Sequence, residues 1–167
     1  MSEGNNAQAM EAIERAKGAV QTSRDLLLKT FAFVPDEKLN WSPSTTARTP
    51  LQIAAYCGGA NATFATLLRG EPWPLAKTAA EANEQISNGP TEINTREAAV
   101  QKIEESSAAL VAALEKATPA TLETMLWTAF GEFPYGFAMT FPAEHMAGHA
   151  RQIDYLETIW GDQVDHN

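Results

Sequence analysis

Four long segments of this chain repeat apolar residues at helical spacing, and none reads as a convincing strand. In the first, about residues 6–34, Ile13, Ala16, Val20, Leu27, Phe31 and Val34 form a heptad-like stripe. Glu11, Glu14, Arg15, Lys17 and Arg24 take the outside, and Pro35 ends the segment because proline cannot continue the hydrogen-bond ladder. The second runs from Pro50 to Leu68. It opens on Thr49-Pro50, an N-cap hydroxyl followed by proline at the first helical position. Ile53, Tyr56, Ala60, Phe64 and Leu67 share its inner face, with Cys57 and Asn61 at the margin. Gly58-Gly59 each weaken it by roughly 1 kcal/mol and permit a close neighbour. The third, from a Thr95 cap to about Lys116, turns Val100, Ile103, Ser107, Leu110 and Leu114 inward. The fourth spans about 137–160 and stops at Gly161. Four such stripes predict an all-α four-helix bundle. It forms one domain over residues 1–167, with its core at about 6–161.

The connections carry turn chemistry. Residues 35–49 are rich in turn formers around Trp41, which reads as a plug over one end of the core, with a ligand contact as the alternative. A short helix is predicted over Ala79–Ile86, closed by an Asn88-Gly89-Pro90 turn. Thr118-Pro119 marks a break, followed by one helical turn through Glu123. Residues 125–136, aromatic and broken by Gly and Pro, read as an extended loop across the bundle. Pro142 falls inside the fourth segment and should bend it just before His145.

That last segment holds His145 and His149, two of only three histidines. Four residues apart on a helix, they share a face one turn apart, the spacing with which paired imidazoles grip a metal. Phe137, Phe141, His145, His149, Ile153, Leu156 and Trp160 recur at steps of three or four, which places the pair inside an apolar stripe. An inward imidazole needs a metal or a hydrogen-bond partner. Gln152, within a turn of His149, is placed to fix its tautomer or to hold a substrate group. Asp154 and Glu157 read as solvated, and His166 as a solvated residue of the polar tail.

A net charge of -9 with no basic stretch argues against nucleic acid. No apolar run approaches the roughly 20 residues of a membrane span. Cys57 is the single cysteine, so no intramolecular disulfide is available. With a polar N-terminus, these features lead us to expect a cytoplasmic protein that does not act at a membrane. Cys57 reads as buried packing, because no cation is predicted beside it to activate a thiolate.

The array His145-x3-His149-x2-Gln152 resembles the signature of the DinB-like (YfiT-like) four-helix bundle superfamily. The stretches Leu39-x-Trp41-x-Pro43 and Arg48-Thr49-Pro50-x3-Ala54-Ala55 are similar to that family's lead into its second helix. The resemblance implies a divalent metal, zinc or nickel, held by three histidines. Two of these match His145 and His149. It also implies a small-molecule ligand, thiol-dependent S-transfer, isomerisation or hydrolysis, and pairing into homodimers. The thiols used in that family are bacillithiol, mycothiol or glutathione; which one would serve here is unknown from the sequence.

The third histidine is missing: where the family pattern reads Ala-Ala-His, this chain reads Ala54-Ala55-Tyr56. Either Tyr56 completes a His2Tyr site, or a water, Cys57 or a carboxylate fills the gap, or the metal is lost and Tyr56 bonds to the histidines. Glu144 is a poor substitute, since successive helical residues diverge by about 100° and it points away from the imidazoles. Two functions follow. One is a metal-assisted transferase or hydrolase, with His145, His149 and Tyr56 at the metal and Gln152, Trp41, Cys57 and Asn61 around it. The other is a non-catalytic bundle that binds a small ligand or a protein. On either, Tyr56→His is expected to raise metal affinity at least tenfold by titration with zinc or nickel; an unchanged affinity would place Tyr56 away from the pair.

Overall fold

The computed structural model describes residues 3–89, 92–164 and 166. Pro90 of the expected turn and Met1-Ser2 of the polar start lie outside the described residues. Thr49 acts as its sequence predicts. Its hydroxyl accepts from Gln52 N while the Gln52 side chain accepts from Thr49 N, a capping box that starts α2 (Pro50–Leu68). The other long helices are α1 (Glu3–Phe33), α4 (Arg96–Leu114) and α6 (Phe141–Trp160). Thr95 caps α4 and a left-handed Gly161 ends α6. Two shorter helices, α3 (Ala79–Asn88) and α5 (Tyr135–Ala138), lie in the connections. Among the described residues, no helix is long and apolar enough to cross a membrane.

Side-chain contacts fix the relative directions of the helices. Arg96 at the start of α4 donates to the carbonyls of Phe31 and Val34 at the end of α1, so these two are antiparallel. Gly58 and Asn61 of α2 meet Lys102 and Ser107 of α4 in the same order, so these two are parallel. A Cβ on Gly58 would stand 2.6 Å from Lys102 Cγ, which is why a glycine belongs at this approach. Phe64 and Tyr56 meet Phe141 and His149, making α2 and α6 antiparallel. The bundle therefore runs up, down, down, up, with a long crossover joining α2 to α4.

The core follows most of the predicted stripes: Ile13, Val20, Leu27, Phe31, Ile103, Leu110 and Leu114 are buried. Two faces are rotated from expectation. On α2 the buried line is Ile53, Cys57, Asn61, Ala65 and Leu68, and Tyr56, Ala60 and Phe64 border a cavity instead. On α6 the core takes Ala143, Met146, Ala150, Ile153 and Leu156, while Phe137 and Phe141 stay 57% and 40% exposed. Large aromatics dominate a hydrophobicity stripe even where small residues make the closer helix contact.

Three further expectations are corrected. Residues 125–136 are not a loop but a hairpin, β1 (Met125–Thr128) paired antiparallel with β2 (Gly131–Pro134), running on into α5. Thr128 Oγ1 accepts from Phe130 N and donates to Gly131 O, and Gly131 takes the positive φ of 128° that closes the turn. Tyr135 is buried and donates to Leu68 O, tying the hairpin to the end of α2. Pro142 does not bend a helix: α6 begins at Phe141, where a first-turn N–H has no partner to lose. His166 is not solvated; it stacks on Phe33 at 4.0 Å and pairs with Asp162.

Glu157, expected to be solvated, is a fourth. It is 1% exposed, on the seam with Ile153 and Leu156, and among the described residues neither carboxylate oxygen has a partner. Burial pushes its carboxyl up to about 7, against the opposing charge of His166 and with the help of Asp162 and Asp154. A carboxyl raised in the folded state is tolerated while protonated and costs stability as pH rises from its ordinary value through 7. Glu157→Gln should therefore stabilise the fold by about 2 kcal/mol at pH 8 and leave it unchanged near pH 4, as read from urea melts at the two pH values.

Candidate metal centre and adjoining cavity

The step of four residues on α6 brings His145 and His149 together with their Nε2 atoms 3.1 Å apart. From α2, crossing antiparallel, two consecutive residues reach the pair. The Tyr56 ring stands edge-on to both imidazoles, at 5.0 and 5.1 Å between centroids. Cys57 is fully buried, and its Sγ and one nitrogen of each histidine all lie within 4.8 Å of one another. Gln152 Oε1 lies 2.6 Å from His149 Nδ1. An amide oxygen only accepts, so Nδ1 carries the proton and the Nε2 lone pair is free toward His145.

Electrostatics set the protonation states. Burial, then His149, then Arg48 push His145 down to about 4. Burial lowers His149 too, opposed by the Gln152 bond and assisted by Arg48. Both rings are thus neutral at pH 7, the form that ligates a metal. Burial pushes the Cys57 thiol up to about 12, with Arg48 pulling the other way. Left to itself this thiol is no nucleophile; a cation would have to displace its proton.

The donor set fits a metal of the zinc type. Two nitrogens bound tetrahedrally at the usual zinc distance stand roughly 3.3 Å apart, close to the observed 3.1 Å. The bond from His149 Nδ1–H to Gln152 Oε1, on the ring nitrogen turned away from His145, is the kind that fixes a ligating imidazole. His145 Nδ1 is buried without a partner among the described residues, where only one of the two rings is held this way.

The other predicted residues divide. Trp41 meets Trp160 edge-on at 5.5 Å, far along α6 from the histidines, and does not line the cavity. Asn61 is buried in the core, donating to Ser107 and Met146. The sequence reading expected no cation here, yet Arg48 lays its guanidinium over the Tyr56 ring at 4.0 Å. Periodicity could not flag it, because it precedes the helix whose side chain it covers.

Beside His145 and Tyr56 opens a cavity of about 630 Å³. The helical walls are Phe64 and Phe141; the far walls come from the crossover, with Trp73 and Ile86, and from the hairpin, with Phe130 and Phe133. These far walls belong to connections whose weak pattern gave no hint of a common surface.

Known proteins share this fold. A crystal structure of a DinB-like protein from Bacillus subtilis, YjoA, is similar in fold, with a TM-score of 0.65 over 90% of this chain and 94% of that one, at 12% identity. No curated protein matches the sequence. The family model described as the DinB superfamily matches residues 19–153, a span that includes Tyr56, Cys57, both histidines of α6 and Gln152. The chain belongs to the DinB superfamily.

Proposed function

We propose that this protein binds one divalent metal, zinc or nickel, through Cys57, His145 and His149, and acts on a small molecule held in the adjoining cavity. The observation that carries this reading is the convergence of three ligand atoms from two helices within 4.8 Å. One thiolate with two imidazoles suits zinc or nickel better than magnesium, calcium or manganese, which prefer oxygen. Three protein donors are also the number typical of catalytic zinc sites. The metal, when bound, supplies Lewis acidity to the substrate or to a thiol cosubstrate, as in transfer or hydrolysis.

The chain's own residues have separate parts. Gln152 holds the His149 ring by its Nδ1–H. Tyr56 walls the imidazoles on the α2 side and takes no ligand role in this reading. Arg48 opposes a dication by its charge and favours the Cys57 thiolate that offsets part of it. The apolar cavity excludes water from the face that His145 presents.

Elemental analysis of protein purified without a histidine tag, after incubation with zinc or nickel, should find about one equivalent of metal. Cys57→Ser should weaken binding at least tenfold, and cobalt substitution should give a thiolate charge-transfer band that this variant lacks. Because the thiol is held near 12 and the histidines are already neutral at pH 7, binding releases one proton, so affinity should rise about tenfold per pH unit between about pH 7 and 9. Less than a tenth of an equivalent would leave the non-catalytic ligand-binding bundle standing in its place.

A further inference from the structure

We propose that the cavity takes an uncharged, ring-bearing small molecule, inserted so that one edge of its ring meets His145. This names the substrate class of the proposed site and rests on that reading only for what happens at His145; occupation of the cavity does not require the metal.

Charge is the first argument. A fifth of the chain's residues are charged, yet among the described residues that line the cavity there is no Asp, Glu, Lys or Arg. An ionised ligand body would lose its hydration there and find no counter-ion among the lining side chains, a penalty of several kcal/mol per ion. The cavity thus selects against charge on the part of the ligand it encloses.

Shape and wall chemistry are the second. Its 630 Å³ lies in the range of small-molecule sites, roughly 300–1,000 Å³. Aromatic rings face it from the helices, the hairpin and the crossover, and they already associate in pairs: Phe64 with Phe141 at 4.9 Å, Phe133 with Phe137 at 5.8 Å, and Trp73 with Phe130 at 6.1 Å. Those separations are the ones at which aromatic rings attract, so a planar ligand ring finds faces and edges on several sides. Phe130, Phe137 and Phe141 remain 43%, 57% and 40% exposed, apolar area that a ligand would cover.

Direction is the third. Phe141 stacks on His145 at 5.8 Å with an interplanar angle of 22°. The Phe64–Phe141 pair therefore continues without a gap into the histidine pair. A ring lying along that pair is led to the imidazole, and the metal-side chemistry would reach the atom at its near edge.

The test is calorimetric titration of metal-free protein with 2-naphthol, and with 2-naphthoate as the anion of the same ring system. The neutral compound should bind saturably and at least tenfold more tightly than the anion. Ala60→Trp, which fills the α2 wall, should weaken 2-naphthol at least tenfold while zinc stoichiometry and the melting curve stay unchanged. If that variant does not fold, Thr63→Trp blocks the same wall. Naphthoate binding as tightly as naphthol, no saturable binding of naphthol by folded protein, or full binding by a folded, cavity-filled variant would each overturn the proposal. Zinc binding without naphthol binding would remove only the ligand class; naphthol binding without zinc binding would remove only the metal reading.

Discussion

The buried amide of Asn61 sets the geometry on which the site depends. It lies at the meeting of three helices, donating to Ser107 of α4 at 3.3 Å and to the Met146 sulfur of α6 at 3.1 Å. A polar group without access to water must keep such partners, and losing them costs about 1–3 kcal/mol. Sliding any of these helices by one residue would break the set. Cys57 sits one turn before Asn61, and His145 directly precedes Met146. The register that keeps both contacts of the Asn61 NH2 is therefore the register that brings thiol and imidazole together.

Charge balance around that meeting point is arranged by a residue outside the helices. Arg48 lies on Tyr56, between solvent and the buried pair, and its charge reaches Cys57 and both histidines. It favours the same protonation states that metal ligands need: neutral rings and a thiolate. Tyr56 offers a π-face to the guanidinium and an edge to the imidazoles, so one ring links Arg48 to the pair.

Much of the bundle was legible because helix stripes and caps are local. Thr49-Pro50, Thr95 and Gly161 mark helix ends through bonds a few residues long, and Leu27, Phe31, Ile103 and Leu110 declare the core by spacing alone. The rest depends on tertiary contacts. The hairpin of residues 125–134 is too short for its alternation to show, and its glycine and proline read as breaks, although both suit its turn and its end. Pro142 could be read as a kink or a start, and only the position of the preceding turn decides. The histidine pair and Gln152 were visible because all three share one helix. Cys57 was visible only as one of several candidates for the open position beside the pair, because α2 is rotated so that its smaller side chains, not Tyr56 and Phe64, face the core. Glu157 was hidden by its chemistry: no pattern rule expects an unpaired carboxylate on a buried seam.

The tie from Tyr135 to the last carbonyl of α2 separates two kinds of structure around one space. The donor atoms stand on long helices whose mutual register the core fixes. The far walls, Trp73 and Ile86 on one side and Phe130 and Phe133 on the other, stand on connections anchored to that frame at their ends. Replacing a wall residue changes what fits without moving a donor atom, and replacing a donor leaves the walls intact. Reactivity and selectivity can then diverge independently among relatives, which is how one bundle could serve unlike substrates without being refolded for each.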